Sequence, residues 1–208
     1  IDLTKSVGTK DKLDTINTLA ELVLDTLSNG GQCLIFTNSR KSAMNYAKRV
    51  GSLIQNALDN ELLVEFDKIS TEFLSLNSDV TGLAKDEAEC IRQGVVFHHA
   101  GLVENQQKKI EDAFKSRKIK VIIATPTLAA GVNTPARRVI IQTTKRFDQE
   151  RGGNVAIPIM EFQQMAGRAG RPGYDKEGDV VVLSGNNDII KEMSIRYYFS
   201  PPEMIISK

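Results

Sequence analysis

Short apolar segments separated by longer stretches of helical periodicity are the feature that most constrains the fold of this chain. These segments have the length of strands and an apolar centre, and they occupy residues 32–37, 94–98, 120–125, 139–143 and 179–183. Strands that are apolar on both faces are typical of a parallel sheet covered on both sides. The sequence therefore predicts an α/β fold, a mostly parallel sheet with helices on both faces.

Apolar residues spaced three and four apart predict helices between these strands. The predicted helices cover residues 10–28, 40–57, 59–76, 84–93, 103–117, 158–168 and 186–197. Ser39 has the residue type and the position of an N-cap for the second of them. The helical insert at 59–93 is either a long crossover between two strands or a surface for a partner.

Composition limits the class of protein and the kind of site. The 208 residues, 41% hydrophobic and 25% charged, are typical of one large globular domain or two small ones. Two cysteines and two histidines argue against a disulfide scaffold and a structural zinc site, so no metal site is predicted. We interpret Cys33 and Cys90 as reduced, in a cytoplasmic protein. The net charge is only +1, so any nucleic-acid site must come from a local cluster of positive charge rather than from the charge of the whole chain. No apolar run is long enough for a membrane helix.

The strongest chemical motif is the glycine-rich segment 164–173, QMAGRAGRPG. Arg168 and Arg171 are three residues apart, and the intervening glycine permits close backbone approach. Paired planar guanidiniums bind phosphate oxygens well, and an arginine delivered to a γ-phosphate accelerates phosphoryl transfer. The alternative is a pair of surface arginines at a glycine-rich helix end.

Two further segments begin where predicted strands end, the place at which open α/β sheets bind ligands. In segment 124–136, Thr125 and Thr127 offer hydroxyls and backbone N–H groups to phosphates, and Gly131 and Asn133 follow them. In segment 36–41, Ser39, Arg40 and Lys41 make an anion site at a helix start. An ordinary capped helix would look the same.

His98 and His99 end another predicted strand, and neighbouring residues on a strand point to opposite faces. They do not readily share one metal ion, and no carboxylate or cysteine follows them closely in sequence. We therefore favour a packing or backbone-positioning role over catalysis.

A β-hairpin is predicted at 139–159. Two β-prone arms, 139–144 and 154–159, flank a polar, glycine-containing tip at 145–153. Phe147 in the tip could stack on a base. The alternative is an unstructured loop.

A complete nucleotide site is missing from the sequence. The chain contains no G-x-x-x-x-G-K-[ST] phosphate loop and no apolar strand ending in an acidic magnesium-binding motif. It also begins with Ile1 rather than Met, so we expect a fragment of a longer protein.

Taken in order, these motifs resemble those of the second RecA-like domain of superfamily 2 helicases. Segment 34–40 resembles helicase motif IV, 96–102 the family motif that follows it, 124–136 motif V and 164–173 motif VI. Three of these motifs are similar in sequence to those of the Ski-two-like group, and within it to those of archaeal DNA repair helicases: FHHAGL, ATPTLAAGVN and QMAGRAGRPGYD. The hairpin is similar to the strand-separating hairpin of those enzymes.

The resemblance implies roles for particular residues. Gln164, Arg168 and Arg171 would face ATP in the cleft between two domains, with Arg171 as the arginine finger. The nucleotide-facing surface would also include Gly131, Asn133 and Gly167. The phosphates of the single strand would be held by Ser39, Arg40, Thr125 and Thr127.

The resemblance also implies the organisation of the whole protein. Residues 1–198 would form the RecA-like domain and 199–208 a linker toward a winged-helix domain. ATP and Mg²⁺ would be bound mainly by a preceding RecA-like domain. The predicted function is a DNA helicase motor that acts on single-stranded or forked DNA during repair. An RNA helicase of the same group and a non-catalytic nucleic-acid-binding module are the alternatives.

Overall fold

The computed structural model describes residues 15–76, 81–131, 134–171, 173, 175–184 and 193–199. The strands are β1 (Cys33–Phe36), β2 (Val95–His98), β3 (Val121–Ala124), β4 (Arg138–Ile141), β5 (Lys145–Asp148), β6 (Gly153–Ala156) and β7 (Asp179–Val182). The helices are α1 (Thr15–Ser28), α2 (Arg40–Ile54), α3 (Asn60–Leu74), α4 (Gly82–Arg92), α5 (Glu104–Lys115), α6 (Thr127–Gly131) and α7 (Ile159–Ala166). A short π-helical segment covers Ser194–Phe199.

The core is a five-stranded parallel sheet in the order β2-β3-β1-β4-β7. The central strand β1 pairs with β3 on one side and with β4 on the other, so that Cys33 is in register with Val121 and Arg138. Every residue of β1, β2 and β3 is buried. The predicted mostly parallel α/β fold is therefore confirmed, because strands that are apolar on both faces need cover on both faces.

Helices cover the sheet with the faces that the periodicity predicts. In α2, Ala43, Ala47 and Val50 are fully buried. The predicted cap at the start of this helix is confirmed, because the Ser39 hydroxyl accepts a hydrogen bond from the Ser42 amide at 3.1 Å. This cap fixes the direction in which the chain leaves β1.

The insert predicted at 59–93 is a helical pair, α3 and α4, in the connection between α2 and β2. Phe66 and Phe73 of α3 are almost fully buried. The Ser70 hydroxyl donates to the Ala88 carbonyl at 2.9 Å, joining the two helices through a buried hydrogen bond. The pair lies toward the β2 edge of the sheet, since α4 packs on β2.

The hairpin is present, but its predicted boundaries were wrong. Residues 139–141 belong to β4, which lies in the central sheet between β1 and β7. The arms are instead β5 and β6, paired antiparallel with Phe147 opposite Asn154. The predicted tip thus contains the whole first arm. The reason is physical: 139–141 is apolar on both faces and is buried, whereas the true arms are mostly exposed.

Some predictions lie wholly or partly outside the described residues. Helix 10–28 is described only from residue 15, and helix 186–197 only from residue 193. Asn133 and the predicted linker beyond residue 199 are also outside them. Within the described part of the chain, no helix is long and apolar enough to cross a membrane.

Both cysteines are buried and unpaired, as predicted. Burial raises the pKa of Cys33 to about 12, and it raises the pKa of Cys90 as well. The two side chains are therefore neutral thiols that fill the core rather than reactive thiolates.

A buried carboxyl group accepts a backbone hydrogen bond at the outer edge of β2. Glu87 of α4 is fully buried, and its carboxyl accepts a hydrogen bond from the Phe97 amide at 3.1 Å. Because β2 is an edge strand in the described part of the sheet, this carboxyl satisfies a backbone donor that no described strand reaches. Burial raises the pKa of Glu87 well above its ordinary value of 4.5, against the effect of the Phe97 hydrogen bond.

We expect Glu87→Gln to make stability less dependent on pH. Above pH 4.5 the unfolded chain ionises Glu87 while the folded state keeps it protonated, so the wild-type loses stability as the pH rises. The loss is about 1.4 kcal/mol per pH unit across the interval between the two pKa values. Gln keeps an acceptor for the Phe97 amide and cannot ionise. Denaturant unfolding at pH 5 and pH 8 measures the effect. An equal difference between wild type and variant at both pH values would contradict it.

Candidate nucleotide and nucleic-acid interface

The carboxyl ends of the parallel strands bring the predicted phosphate-binding segments to one edge of the sheet. Just past the strands, the Thr37 amide donates to the Ala124 carbonyl at 2.9 Å, and the Thr125 amide donates to the His98 carbonyl at 3.2 Å. The first bond holds segment 36–41 beside segment 124–136, and the second holds segment 96–102 beside it. Residues more than 80 positions apart in sequence therefore share one surface.

A cavity of about 580 Å³ opens at this edge. Its lining includes Ser39, Arg40, Thr125, Thr127 and Gln164, five of the residues that the sequence analysis selected. The hairpin contributes two cations to the lining, Lys145 and Arg146. Apolar side chains form another part of the lining: Phe36, Ile157, Pro158 and Met160. The cavity thus combines hydroxyls and cations with an apolar wall, which suits a chain of phosphates bearing planar bases.

Hydroxyl groups in the cavity are held by local hydrogen bonds. Thr125 Oγ1 and Thr127 Oγ1 share one at 2.9 Å, and Ser39 Oγ and Ser42 Oγ share another at 2.8 Å. Thr37 is almost fully buried, and its Oγ1 has no hydrogen-bond partner among the described residues. Thr125, Thr127 and Ser39 therefore present oriented hydroxyls, whereas no described residue orients the Thr37 hydroxyl.

The two histidines pack and position backbone, as predicted. His98 is buried with its Nε2 3.1 Å from Glu111 Oε1, and burial lowers its pKa although the Glu111 carboxylate opposes that effect. His99 stacks on Phe97 with ring centroids 5.5 Å apart, and its Nδ1 accepts a hydrogen bond from the Gly101 amide. Each ring thus fixes the start of the loop that follows β2.

Segment 164–173 begins in α7 and ends in a turn that pairs with segment 124–136. Helix α7 stops at Ala166, and the Gly167 amide donates to the Gln163 carbonyl at 2.8 Å. The Ala136 amide donates to the Arg168 carbonyl, and the Gly170 amide donates to the Ala136 carbonyl. Gly170 has φ +87°, a conformation that favours glycine. The two predicted nucleotide-facing segments are therefore in direct backbone contact.

The two arginines of this segment have different surroundings. Arg168 is half-buried, and its Nη2 donates to the Ala129 carbonyl of α6. Arg171 is 8% exposed and binds Asp175 through Nε at 2.6 Å and Nη2 at 2.7 Å. Its Nη1 donates to Gln32 Oε1 at 3.3 Å. This arrangement differs from the expectation that Arg171 projects toward a phosphate.

Sequence reasoning missed Asp175 and Gln32 as partners of Arg171. Asp175 stands four residues after Arg171, a spacing that could have suggested the ion pair. Gln32 offered no such signal. It is buried, and its Nε2 donates to the Phe114 and Ile119 carbonyls at 2.7 and 2.8 Å. It therefore links the start of β1 to the turn between α5 and β3.

The hairpin is attached to α7 by an ion pair. Arg146 Nη1 of β5 lies 2.8 Å from Glu161 Oε2 of α7. Phe147, the predicted base-stacking residue, is 64% exposed. Among the described residues it is not part of the cavity lining, so the structure places it on the outer surface of the hairpin.

Of the two remaining predicted residues, the structure places only Gly131. It is the last residue of α6, and the next two positions, 132 and 133, lie outside the described residues.

Among the described residues, no group of three histidine, cysteine, aspartate or glutamate side chains is close enough to hold a metal ion.

Comparison with known proteins decides the family. The model of the helicase conserved C-terminal domain matches residues 14–173 of this sequence. The chain belongs to this family. The matched residues of this helicase C-terminal domain include all four segments that resemble helicase motifs, so the resemblance stated from the sequence is confirmed.

Curated relatives of this helicase C-terminal domain include three proteins named ATP-dependent DNA helicase Hel308. The protein from Methanocella arvoryzae is 44% identical over 195 residues, which are 94% of this chain and 26% of that protein. Those from Methanococcus vannielii and Caldivirga maquilingensis are 40% and 38% identical over 192 residues, 92% of this chain and 25% of each protein. The chain thus spans about a quarter of the length of these relatives.

Proposed function

We propose that this chain is the second motor domain of an ATP-dependent superfamily 2 DNA helicase that translocates on single-stranded DNA and unwinds duplexes in the repair of stalled forks. The observation that carries the proposal is the backbone pairing between segments 124–136 and 164–173 beside a cation-lined cavity. This places groups suited to a nucleotide next to groups suited to a nucleic acid. The three relatives are named DNA helicases, which favours DNA over RNA as the substrate.

The chain fits one side of a nucleotide site. Arg168 has a buried Nε without a hydrogen-bond partner among the described residues, as a guanidinium awaiting an anion would. Gln164 and Gly167 flank it on the same turn, and Gly131 and Asn133 come from the neighbouring segment. ATP would supply the phosphoanhydride bond that is hydrolysed, and a preceding RecA-like domain would hold most of the nucleotide and its Mg²⁺. The residues of this chain would contribute positive charge that stabilises the negative charge developing on the phosphates.

The cavity is the surface that we assign to the single strand. Ser39, Arg40, Thr125 and Thr127 would bind phosphates, because their hydroxyls, helix-start amides and cation line the same opening. The exposed ring of Phe147 would contact a base at the duplex junction. A winged-helix domain following the chain and a cytoplasmic location complete the proposal.

Because half of the nucleotide site belongs to another domain, we expect the isolated 208-residue chain to hydrolyse ATP at a negligible rate. The full-length protein should hydrolyse ATP, and single-stranded DNA should stimulate it. Turnover of both proteins, with and without single-stranded DNA, measures this.

The control for that experiment is a chain that also carries the preceding domain, which should restore stimulated hydrolysis. Robust DNA-stimulated turnover by the isolated chain would contradict the proposed division of the site. Absence of stimulated turnover in the full-length protein would contradict the proposed function itself.

A further inference from the structure

We infer that Tyr197 is a positioning residue for the hairpin. Its side chain contacts both the residue at which the second arm of the hairpin ends and helix α7, and it thereby fixes the direction in which the hairpin projects. The inference rests on the proposed function, since it deepens the role of the hairpin in strand separation. Tyr197 lies beyond residues 14–173, which match the helicase C-terminal family, so none of the motifs described above includes it.

The hairpin has little structure of its own to hold it in place. Among the described strands, β5 and β6 pair only with each other, and most of their side chains are exposed. A two-stranded hairpin is at best marginally stable by itself. The ion pair from Arg146 to Glu161 is partly exposed to solvent, and such pairs contribute little. The orientation of the hairpin therefore depends on contacts at its base.

Segment 193–199 contacts both residues that form this base. Thr144 directly precedes β5 and Ile157 directly follows β6, and a backbone hydrogen bond of 2.9 Å joins them. The Tyr197 hydroxyl donates to the Ile157 carbonyl at 2.9 Å, and Thr144 Oγ1 donates to Met193 Sδ at 3.6 Å. Thr144, Ile157 and Tyr197 are all buried. The contact from Tyr197 is thus made away from water, where low polarity strengthens a hydrogen bond.

The ring of Tyr197 attaches the same base to α7. It stacks on Phe162 with ring centroids 4.4 Å apart and an angle of 17° between the ring planes. The guanidinium carbon of Arg196 lies 5.5 Å from the centroid of the Tyr197 ring, which is a cation–π distance. Phe162 follows Glu161 in α7, so the ring contact and the hairpin ion pair reach the helix at neighbouring residues. One side chain therefore joins the end of the second arm to the first turn of the helix that follows.

Tyr197 acts through these residues rather than on a nucleic acid. It is 5% exposed, and it is not among the described residues that line the cavity, whereas Ile157 is. Loss of its hydroxyl would remove the donor from the buried Ile157 carbonyl, an unfavourable state that movement of the hairpin base relieves. A hairpin with a movable base yields to the duplex instead of separating it. The cavity itself keeps its hydroxyls and cations, so ATP hydrolysis should change less than unwinding.

Hydrogen exchange of the full-length protein measures the contact without reference to activity. Tyr197→Phe keeps the ring on Phe162 and removes the hydroxyl, and Tyr197→Leu removes both. We expect both variants to accelerate backbone exchange in residues 145–156 and to leave exchange in β1 and β3 unchanged. The matched control is Tyr46→Phe, which removes a tyrosine hydroxyl from α2 and should not affect the hairpin. Unchanged exchange in the hairpin of both Tyr197 variants would overturn the inference.

Unwinding assays measure the consequence as base pairs opened per ATP hydrolysed. Tyr197→Phe should lower this ratio by about twofold or more, the lower limit for loss of one neutral hydrogen bond. Tyr197→Leu should lower it by about fivefold or more, because the ring contact is lost as well. At saturating single-stranded DNA, kcat and KM for ATP should change much less, since neither variant removes a residue of the cavity or of the nucleotide-facing segments. A ratio equal to that of wild type in both variants would contradict a positioning role.

A third comparison separates positioning of the hairpin from general support of the fold. In a protein whose residues 145–156 are replaced by a short Gly-Ser turn, Tyr197→Leu should not lower the ratio further, because the element that it positions is gone. The assay uses a short duplex that the protein without the hairpin still opens. If Tyr197 only stabilised the domain, Tyr197→Leu would lower hydrolysis and unwinding in parallel, with and without the hairpin, and would accelerate exchange in β1 and β3.

The failure of the inference and that of the proposed function give different results. Parallel losses with accelerated exchange in the central sheet would overturn the role of Tyr197 and leave the proposed function intact. A wild-type protein that hydrolyses ATP but opens no duplex would instead overturn the proposed function. Hydrogen exchange would then still decide whether Tyr197 holds the hairpin, because that measurement needs no unwinding.

Discussion

Removal of the hairpin should abolish most duplex unwinding and reduce single-strand-stimulated ATP hydrolysis much less, even though Lys145 and Arg146 leave the cavity with it. The structure shows where to cut: the Ile157 amide donates to the Thr144 carbonyl at 2.9 Å, so residues 145–156 can be replaced by a short Gly-Ser turn between adjacent ends. A projection beside a translocating strand blocks reannealing, and each base-pair step represents about 1.4 kcal/mol of stacking. We expect unwinding to fall about tenfold or more.

The matched control for this deletion is Glu161→Gln. It breaks the ion pair with Arg146 but keeps the hairpin, so it reports how much of any loss comes from disturbing α7. An exposed ion pair contributes at most about 1 kcal/mol, and we expect the control to keep most of both activities. The measurements are base pairs unwound and ATP molecules hydrolysed per second. Unwinding retained at the same number of base pairs per ATP would contradict a strand-separating role.

Substitution of Gly178 should destabilise the domain although this position is itself exposed. A Cβ atom at this position would lie 2.3 Å from the Gly170 amide nitrogen, 2.5 Å from the Ala169 carbonyl carbon and 2.7 Å from the Gly170 Cα. All three are backbone atoms of the turn between Arg168 and Arg171, so relief requires moving that turn. We expect Gly178→Ala to destabilise the fold by about 1–3 kcal/mol and to lower ATP hydrolysis in the full-length protein.

Gly82→Ala provides the comparison. Gly82 is exposed at the start of α4, and a Cβ there meets no atom within 4 Å. The substitution should leave stability unchanged or slightly higher, because alanine favours the helix and restricts the unfolded chain. Denaturant unfolding of both variants measures the difference. Equal unfolding midpoints for Gly178→Ala and wild type would show that the turn is not held as closely as the structure indicates.

The sheet and the meeting of the motifs were predictable from the sequence for a simple reason. Runs such as 121–124 are apolar on both faces, and only a covered parallel sheet buries both faces of so many strands. In such a sheet the carboxyl ends of the strands share an edge, which brings Ser39 and Thr125 to one cavity. The N-cap of α2 was also predictable, because Ser39 has a residue type and a position in sequence that favour capping.

The features that the sequence analysis misplaced or missed have two causes. Some depend on contacts between residues distant in sequence, and others on neighbouring segments with similar β-strand propensity. The hairpin arm was misplaced because 139–141 and 145–148 are both β-prone, and only tertiary burial distinguishes them. Gln32 and Arg171 are separated by 139 positions, so no local pattern connects them. The close approach of Gly178 to Gly170 is a tertiary contact of the same kind. The domain limits and the individual site roles stay predictions.

Helix α7 contacts the hairpin near its first turn and is followed by Arg168, the arginine that we propose faces the nucleotide. Glu161 holds Arg146 near the first turn, and Arg168 follows directly after the last. At 1.5 Å per residue these two positions are about 10 Å apart along the axis. They are joined by hydrogen-bonded helix that ends in a closed turn, with no extended linker between them. The hairpin contact and Arg168 are therefore carried by one short helix, so a displacement of α7 as a unit would move both positions together.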